Sequence, residues 1–151
     1  MAEPWAPSLE QVADHIPTRT RSTAAAPGDD SLLMTFNTTT TPTGEQAQRF
    51  IASAVSEVLG AVAGRIPDTP TYLRTLAQKA AALRAAADIE LAYPDRDADV
   101  DVSARLDQRA KDALLRLVDA ASDAASPGSE GSLLPVWSMP AVPPWPGDYL
   151  L

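Results

Sequence analysis

Fourteen prolines cut this 151-residue chain into pieces and limit what each piece can become. A proline lacks the N–H that a helix interior needs, and its ring clashes with the preceding turn, so a helix can begin at a proline but cannot run through one. Pro42 to Pro67, Pro70 to Pro94 and Pro94 to Pro127 are long stretches free of proline, whereas prolines at 127, 135, 140, 143, 144 and 146 crowd the far end. The middle can therefore hold three long helices, and the C-terminal stretch can hold none.

The apolar spacing agrees. Thr41-Pro42 reads as the start of a helix reaching about Ile66, with Phe50, Ile51, Ala54, Val55, Val58, Leu59, Val62 and Ile66 on one face. Gly60 and Gly64 fall within it as a close-packing pair. Thr69-Pro70 opens the next helix, to about Tyr93, with a stripe of Leu73, Leu76, Ala80, Leu83 and Ala87. A further helix is expected from Val102 or Ser103 to Ala125, capped by Asp101 or Ser103, with Leu106, Ala110, Leu114, Leu117 and Ala121 facing inward. With 2 Phe, 3 Trp and 3 Tyr, the core must come from Ala, Leu, Val and Ile, which suits close-packed helices better than a β-sandwich.

Ahead of this bundle lie two smaller pieces. Ser8 to Ile16 predicts a short helix with a capping box, Ser8 with Gln11, and with Leu9, Val12, Ala13 and Ile16 on one face. Residues 17–41 form a Thr-rich connection broken by Pro27-Gly28, read as an extended arm with one possible short strand over Leu32 to Thr38. The expected fold is all-α: an antiparallel bundle over 42–125, an N-terminal segment with a short helix over 1–16, an arm over 17–41 and an extended tail over 126–151.

The tail is the loudest signal. It carries Leu133, Leu134, Val136, Trp137, Met139, Val142, Trp145, Tyr149, Leu150 and Leu151, and no Lys or Arg. Segments that stay solvated are normally poor in such residues. Stiffened by proline, this one is expected to be covered by other chains.

Charge and chemistry narrow the function. A net charge of −8 argues against affinity for nucleic acid or an anionic membrane. Cys is absent and His15 is the single histidine, so thiolate, Cys/His and His-rich metal chemistry are excluded. No G-x-S-x-G elbow is present. The run Asp95-Arg96-Asp97-Ala98-Asp99-Val100-Asp101 resembles the opening of a calcium loop. It fails at Val100, where the turn needs Gly, and at Leu106, where a Glu must close the site. No cofactor, no metal and no enzymatic activity are expected. Nor does any apolar run approach a membrane span, and the N-terminus MAEPWAPSLEQ has neither the basic nor the apolar region of a signal peptide.

Several stretches taken in order resemble the head-to-tail adaptor (connector) proteins of long-tailed DNA phages that infect actinobacteria. They are Trp5-Ala6-Pro7-Ser8-Leu9-Glu10-Gln11-Val12-Ala13 running into Ile16-Pro17-Thr18-Arg19-Thr20-Arg21, the Thr-rich arm ending at Phe36, Thr41-Pro42-Thr43 with Glu45-Gln46, and Leu83-Arg84-Ala85-Ala86-Ala87-Asp88-Ile89-Glu90-Leu91. Together they span about residues 5–93. The tail does not match residue by residue, but in related connectors the C-terminal segment contacts the portal. What the resemblance implies is a non-enzymatic virion protein of the neck, assembled in the host cytoplasm as a dodecameric ring under the portal protein. The ring extends a channel through which DNA passes without specific binding, and offers a docking surface to a stopper or tail protein. Leu133, Leu134, Val136, Trp137, Met139, Trp145 and Tyr149 are then expected to meet the portal, and Arg19, Arg21, Leu33, Met34 and Phe36 of the arm to meet neighbouring subunits or the stopper. The rival reading is a bacterial antitoxin-like or regulatory helical protein whose tail folds on a partner; it gives no role to a second detached arm at the other end.

Overall fold

The computed structural model describes residues 3–24, 33–67, 71–94 and 101–125. Among the described residues there are four helices, α1 (Leu9–Ala13), α2 (Gly44–Ala61), α3 (Tyr72–Ala92) and α4 (Asp101–Ala125), with a 3₁₀ turn at Pro17–Thr20 after α1. No strand occurs among the described residues, only an isolated antiparallel bridge between Ser22 and Thr40. The fold is all-α.

Small side chains put α3 at the centre. Ala77, Ala80, Ala81, Ala82, Ala85, Ala86 and Ala87 are all buried, so neighbours approach this helix from several sides. It packs most extensively on α4, then on α2, and also receives α1. A helix apolar around most of its circumference belongs in the interior, which is why its burial runs wider than the predicted stripe. From α2 come Ala47, Ile51, Ala54, Val55 and Val58, and from α4 Leu106, Ala110, Leu117 and Ala121, with Leu114 packed at the margin.

The helix ends depart from expectation in instructive ways. Thr43, not Thr41, caps α2: its hydroxyl accepts from the Gln46 amide at 3.4 Å, and the Gln46 carboxamide accepts from the Thr43 amide at 2.9 Å. The Thr41–Pro42 bond before it is cis. At the other end α2 stops at Ala61 rather than near Ile66, because Ala63 (φ 51°) and Gly64 (φ 71°) turn left-handed and the Gly64 amide donates to the Leu59 carbonyl at 3.0 Å, closing the helix. Gly64 is thus a terminator, and a Cβ added at Gly60 would meet nothing within 4 Å. The close-packing reading of that pair is wrong. Gly44 is the glycine in tight quarters, where a Cβ would lie 3.2 Å from the Phe36 carbonyl oxygen. In α4 both Asp101 and Ser103 are already helical, so neither is the residue before the first turn.

Nor are the N-terminal segment and the arm detached. Trp5 (4 % exposed), Val12, Ala13 and Ile16 are part of the same core as α2, α3 and α4. α1 is shorter than predicted, yet its Ser8–Gln11 capping box is present. The Thr-rich stretch is stitched down by its own hydroxyls. Thr20 donates to the Pro17 carbonyl at 2.8 Å, Thr23 to the Thr39 carbonyl at 2.6 Å, and buried Thr40 to the Pro42 carbonyl at 2.7 Å. The Asn37 side chain accepts from the Thr39 amide at 2.7 Å. Side chains that satisfy backbone locally compete with a ladder, and the expected strand over Leu32 to Thr38 is absent from residues 33–38.

Candidate partner-binding surfaces

Of the arm residues expected to face a neighbour, two are committed inside the chain. Arg19, on the 3₁₀ turn, makes a two-pronged bond with Glu90 of α3: Nε to Oε1 at 2.9 Å and Nη2 to Oε2 at 2.6 Å. The two side chains are only 11 % and 7 % exposed. Phe36 is 3 % exposed and belongs to the core. Neither is a surface contact, since reaching a neighbour would break a buried ion pair or open the core. Leu33 and Met34 do face outward, Met34 at 69 %, and Met34 adopts a left-handed backbone (φ 63°). Arg21 is exposed. The tail residues Leu133, Leu134, Val136, Trp137, Met139, Trp145 and Tyr149 lie outside the described residues.

Three surface features were not legible in the sequence. The largest is a groove of about 850 Å³ between the N-terminal segment and α2. It is lined by apolar Leu9, Ile51, Ala52, Val55 and Leu59 and by polar Glu3, Ser8, Glu10, Gln48 and Ser56. Its size falls in the range of sites that bury a substantial ligand. The sequence could not show it, because the residues that make its two walls are about forty positions apart.

The second is an ionic hub joining α2, α3 and α4. Arg84 lies 2.9 Å from Glu57 Oε2, 2.9 Å from Asp107 Oδ1 and 3.5 Å from Asp88 Oδ1. The Glu57 approach to Nε is ionic only, because the N–H does not point at the oxygen and Nε is left without a hydrogen bond. Three carboxylates around one guanidinium leave negative charge in excess. Burial, and then Glu57 and Asp107, push the Asp88 carboxyl above the usual range against the pull of Arg84. Asp107 goes the other way, chiefly through its hydrogen bond with Lys111, at 2.6 Å, and then through Arg84.

The third is a cleft of about 340 Å³ between the end of α1 and the α3–α4 pair, where His15 meets Lys79, Arg109 and Arg116 over Leu76 and Leu83. Burial lowers the His15 pKa first; Asp14 opposes this, and Arg109 and Lys79 reinforce it. Asp112 also lines this cleft.

Among the described residues no group of three or more His, Cys, Asp or Glu side chains could hold a metal ion, and no helix is long and apolar enough to cross a membrane. Compared with protein-family models, with curated proteins and with solved structures, the chain finds no match in any of the three.

Proposed function

We propose that this chain is a structural subunit of a phage neck, a head-to-tail adaptor that assembles as a ring beneath the portal and presents a docking surface to the next neck protein. What supports the reading is the contrast in composition between the helical part of the chain and its C-terminal stretch. The α1–α4 core draws on residues 5–121 and is contiguous. Residues 126–151 follow this stretch in the sequence and bring two tryptophans and a run of large apolar side chains among six prolines. Such a segment suits a groove on a partner, with aromatic anchors filling pockets and prolines lowering the ordering cost.

Two further features support it. A ring needs two different complementary faces on each subunit, and the bundle leaves Met34, Tyr72, Leu91 and Leu115 largely exposed, Leu91 at 73 %. Acidic charge, −8 per chain, suits the wall of a DNA conduit, since like charge discourages sticking.

The test is removal of the tail. Deleting Ser132 to Leu151 should leave the helical circular-dichroism signal nearly intact and abolish sedimentation with purified portal rings. Within the intact chain, Trp137→Ala should weaken attachment by roughly 2 kcal/mol if that ring is a central anchor. Attachment that survives the deletion, or a collapse of helicity, would sink the proposal.

A further inference from the structure

Two charge clusters of opposite sign lie on opposite flanks of the seam between α3 and α4. From that layout we infer that the chain docks head to tail on a second copy of itself, basic flank against acidic flank. His15, Lys79, Arg109 and Arg116 gather on the first flank. On the second, Arg84, Asp88, Asp107 and Leu91 line a cleft of about 280 Å³, and Glu57 of α2 lies 2.9 Å from Arg84. Helix geometry keeps the two apart. Arg109 follows Asp107 by two positions, about 200° around α4, and α3 and α4 supply walls to both clefts. One neighbour can therefore engage one flank and leave the other open, as a heterologous contact requires.

Each flank carries charge that the chain leaves unbalanced. Acidic residues outnumber basic ones 20 to 12, yet Lys79, Arg109 and Arg116 take part in no ion pair among the described residues. Asp112, in the same cleft, accepts from Gln108 Nε2 at 2.9 Å instead. On the other flank three carboxylates surround Arg84, and Lys111 offsets part of that surplus through Asp107. Two titrating groups register the opposite fields. Burial lowers the His15 pKa and Arg109 and Lys79 lower it further, against Asp14; burial raises that of Asp88 and Glu57 and Asp107 raise it further, against Arg84. Laying one flank on the other gives each excess its counter-charge. Each flank also holds one large apolar side chain in water: Tyr72 (71 % exposed), on the α3 stripe of Leu76, Lys79 and Leu83, and Leu91 (73 %). Charge then fixes the register of the contact, and the apolar groups add buried area. Its role in a neck, as the seam between ring neighbours, rests on the adaptor reading above.

Analytical ultracentrifugation of the full-length protein tests the contact. At about 0.1 M salt, where charge is screened beyond about 10 Å, species larger than a monomer should grow with concentration, and about 0.5 M salt should weaken them roughly tenfold. Arg109→Glu with Arg116→Glu disables the basic flank, and Glu57→Gln with Asp88→Asn the acidic one, where Arg84 keeps Asp107. An unchanged helical circular-dichroism signal checks the fold of each, and Leu91→Arg, at an exposed position of the same cleft, replaces the second variant if its signal falls. Each variant alone should be monomeric. Mixed in equal amounts they should give a dimer and nothing larger, because each brings one intact flank of opposite kind. A parent chain that stays monomeric, association indifferent to salt, variants that associate as the parent does, or a mixture without the dimer would overturn the inference. Sedimentation of the parent chain with portal rings separates the two readings. Attachment to portal without self-association keeps the adaptor and removes this contact, and the capped dimer without portal attachment does the reverse.

Discussion

Glu90 sits where the inner stripe of α3 would place an apolar residue, one turn beyond Ala87, and Arg19 reaches it from the 3₁₀ turn through two bonds. Removing one partner of a buried pair leaves the other charge without compensation, which costs about 3–5 kcal/mol. Glu90→Ala should accordingly lower the urea midpoint sharply at an unchanged m-value. The double change Arg19→Met with Glu90→Leu should recover most of the loss, because an apolar pair of similar volume needs no charge compensation; a double variant as weak as the single one would count against the ion pair. The pairing could not be read from the sequence, since 71 positions separate the partners. What was legible, and passed over, is a carboxylate on a stripe otherwise made of Leu and Ala. His15 carries the pH prediction. Its folded pKa lies below the free value of 6.5, so the unfolded chain binds the proton more readily. Its share of stability is present above that value and is lost as pH falls through the lowered one. His15→Gln should flatten the fall in melting temperature between about pH 7 and pH 5, whereas an unchanged slope would remove His15 as its cause.

At the scale of elements, the helices were readable because proline and apolar spacing both speak of them, and their ends were not. The start of α2 shows why. Thr41-Pro42 and Thr43-Gly44-Glu45-Gln46 are overlapping start signals, and the reciprocal bonds between Thr43 and Gln46 decide for the second. The end of α2 turns on Gly64, whose sequence context fits a helical packing site as well as it fits a left-handed stop. The Thr-rich stretch misled in another way. β-favouring residues suggested a strand, but their hydroxyls find backbone acceptors close by, at Pro17, Thr39 and Pro42, and no neighbouring strand is needed. α3 was placed correctly yet underestimated, since a run of alanines gives no moment to point with and packs on every side. The groove along α2 stayed hidden for the same reason as the Arg19–Glu90 pair: it exists only once the N-terminal segment is laid against a helix distant in sequence.

For the whole molecule, the decisive question is which ends belong to the core. The sequence treats both ends alike, as short or proline-broken apolar segments, and the structure gives the first of them a place inside. Trp5, Val12, Ala13 and Ile16 are buried against α2 and α3. Burying a Val or Ile side chain contributes about 1.5–3 kcal/mol, and a Trp contributes more area still. Loss of the set amounts to roughly 6 kcal/mol, comparable with the entire stability of an ordinary domain. Deleting residues 1–16 also removes the α1 contact that covers part of α3, leaving an alanine-rich face in water with nothing to close over it. The expected outcome is a chain without a cooperative thermal transition by circular dichroism, and with much reduced helicity. A chain that loses Ser132 to Leu151 should instead melt as one unit near the parent temperature. Detached arms at both ends would make the two truncations alike, each melting as the full chain does. Their divergence would place the boundary of the folded unit between Ala125 and Ser132, which is where a segment must begin if it is to be handed to a partner without unfolding the rest.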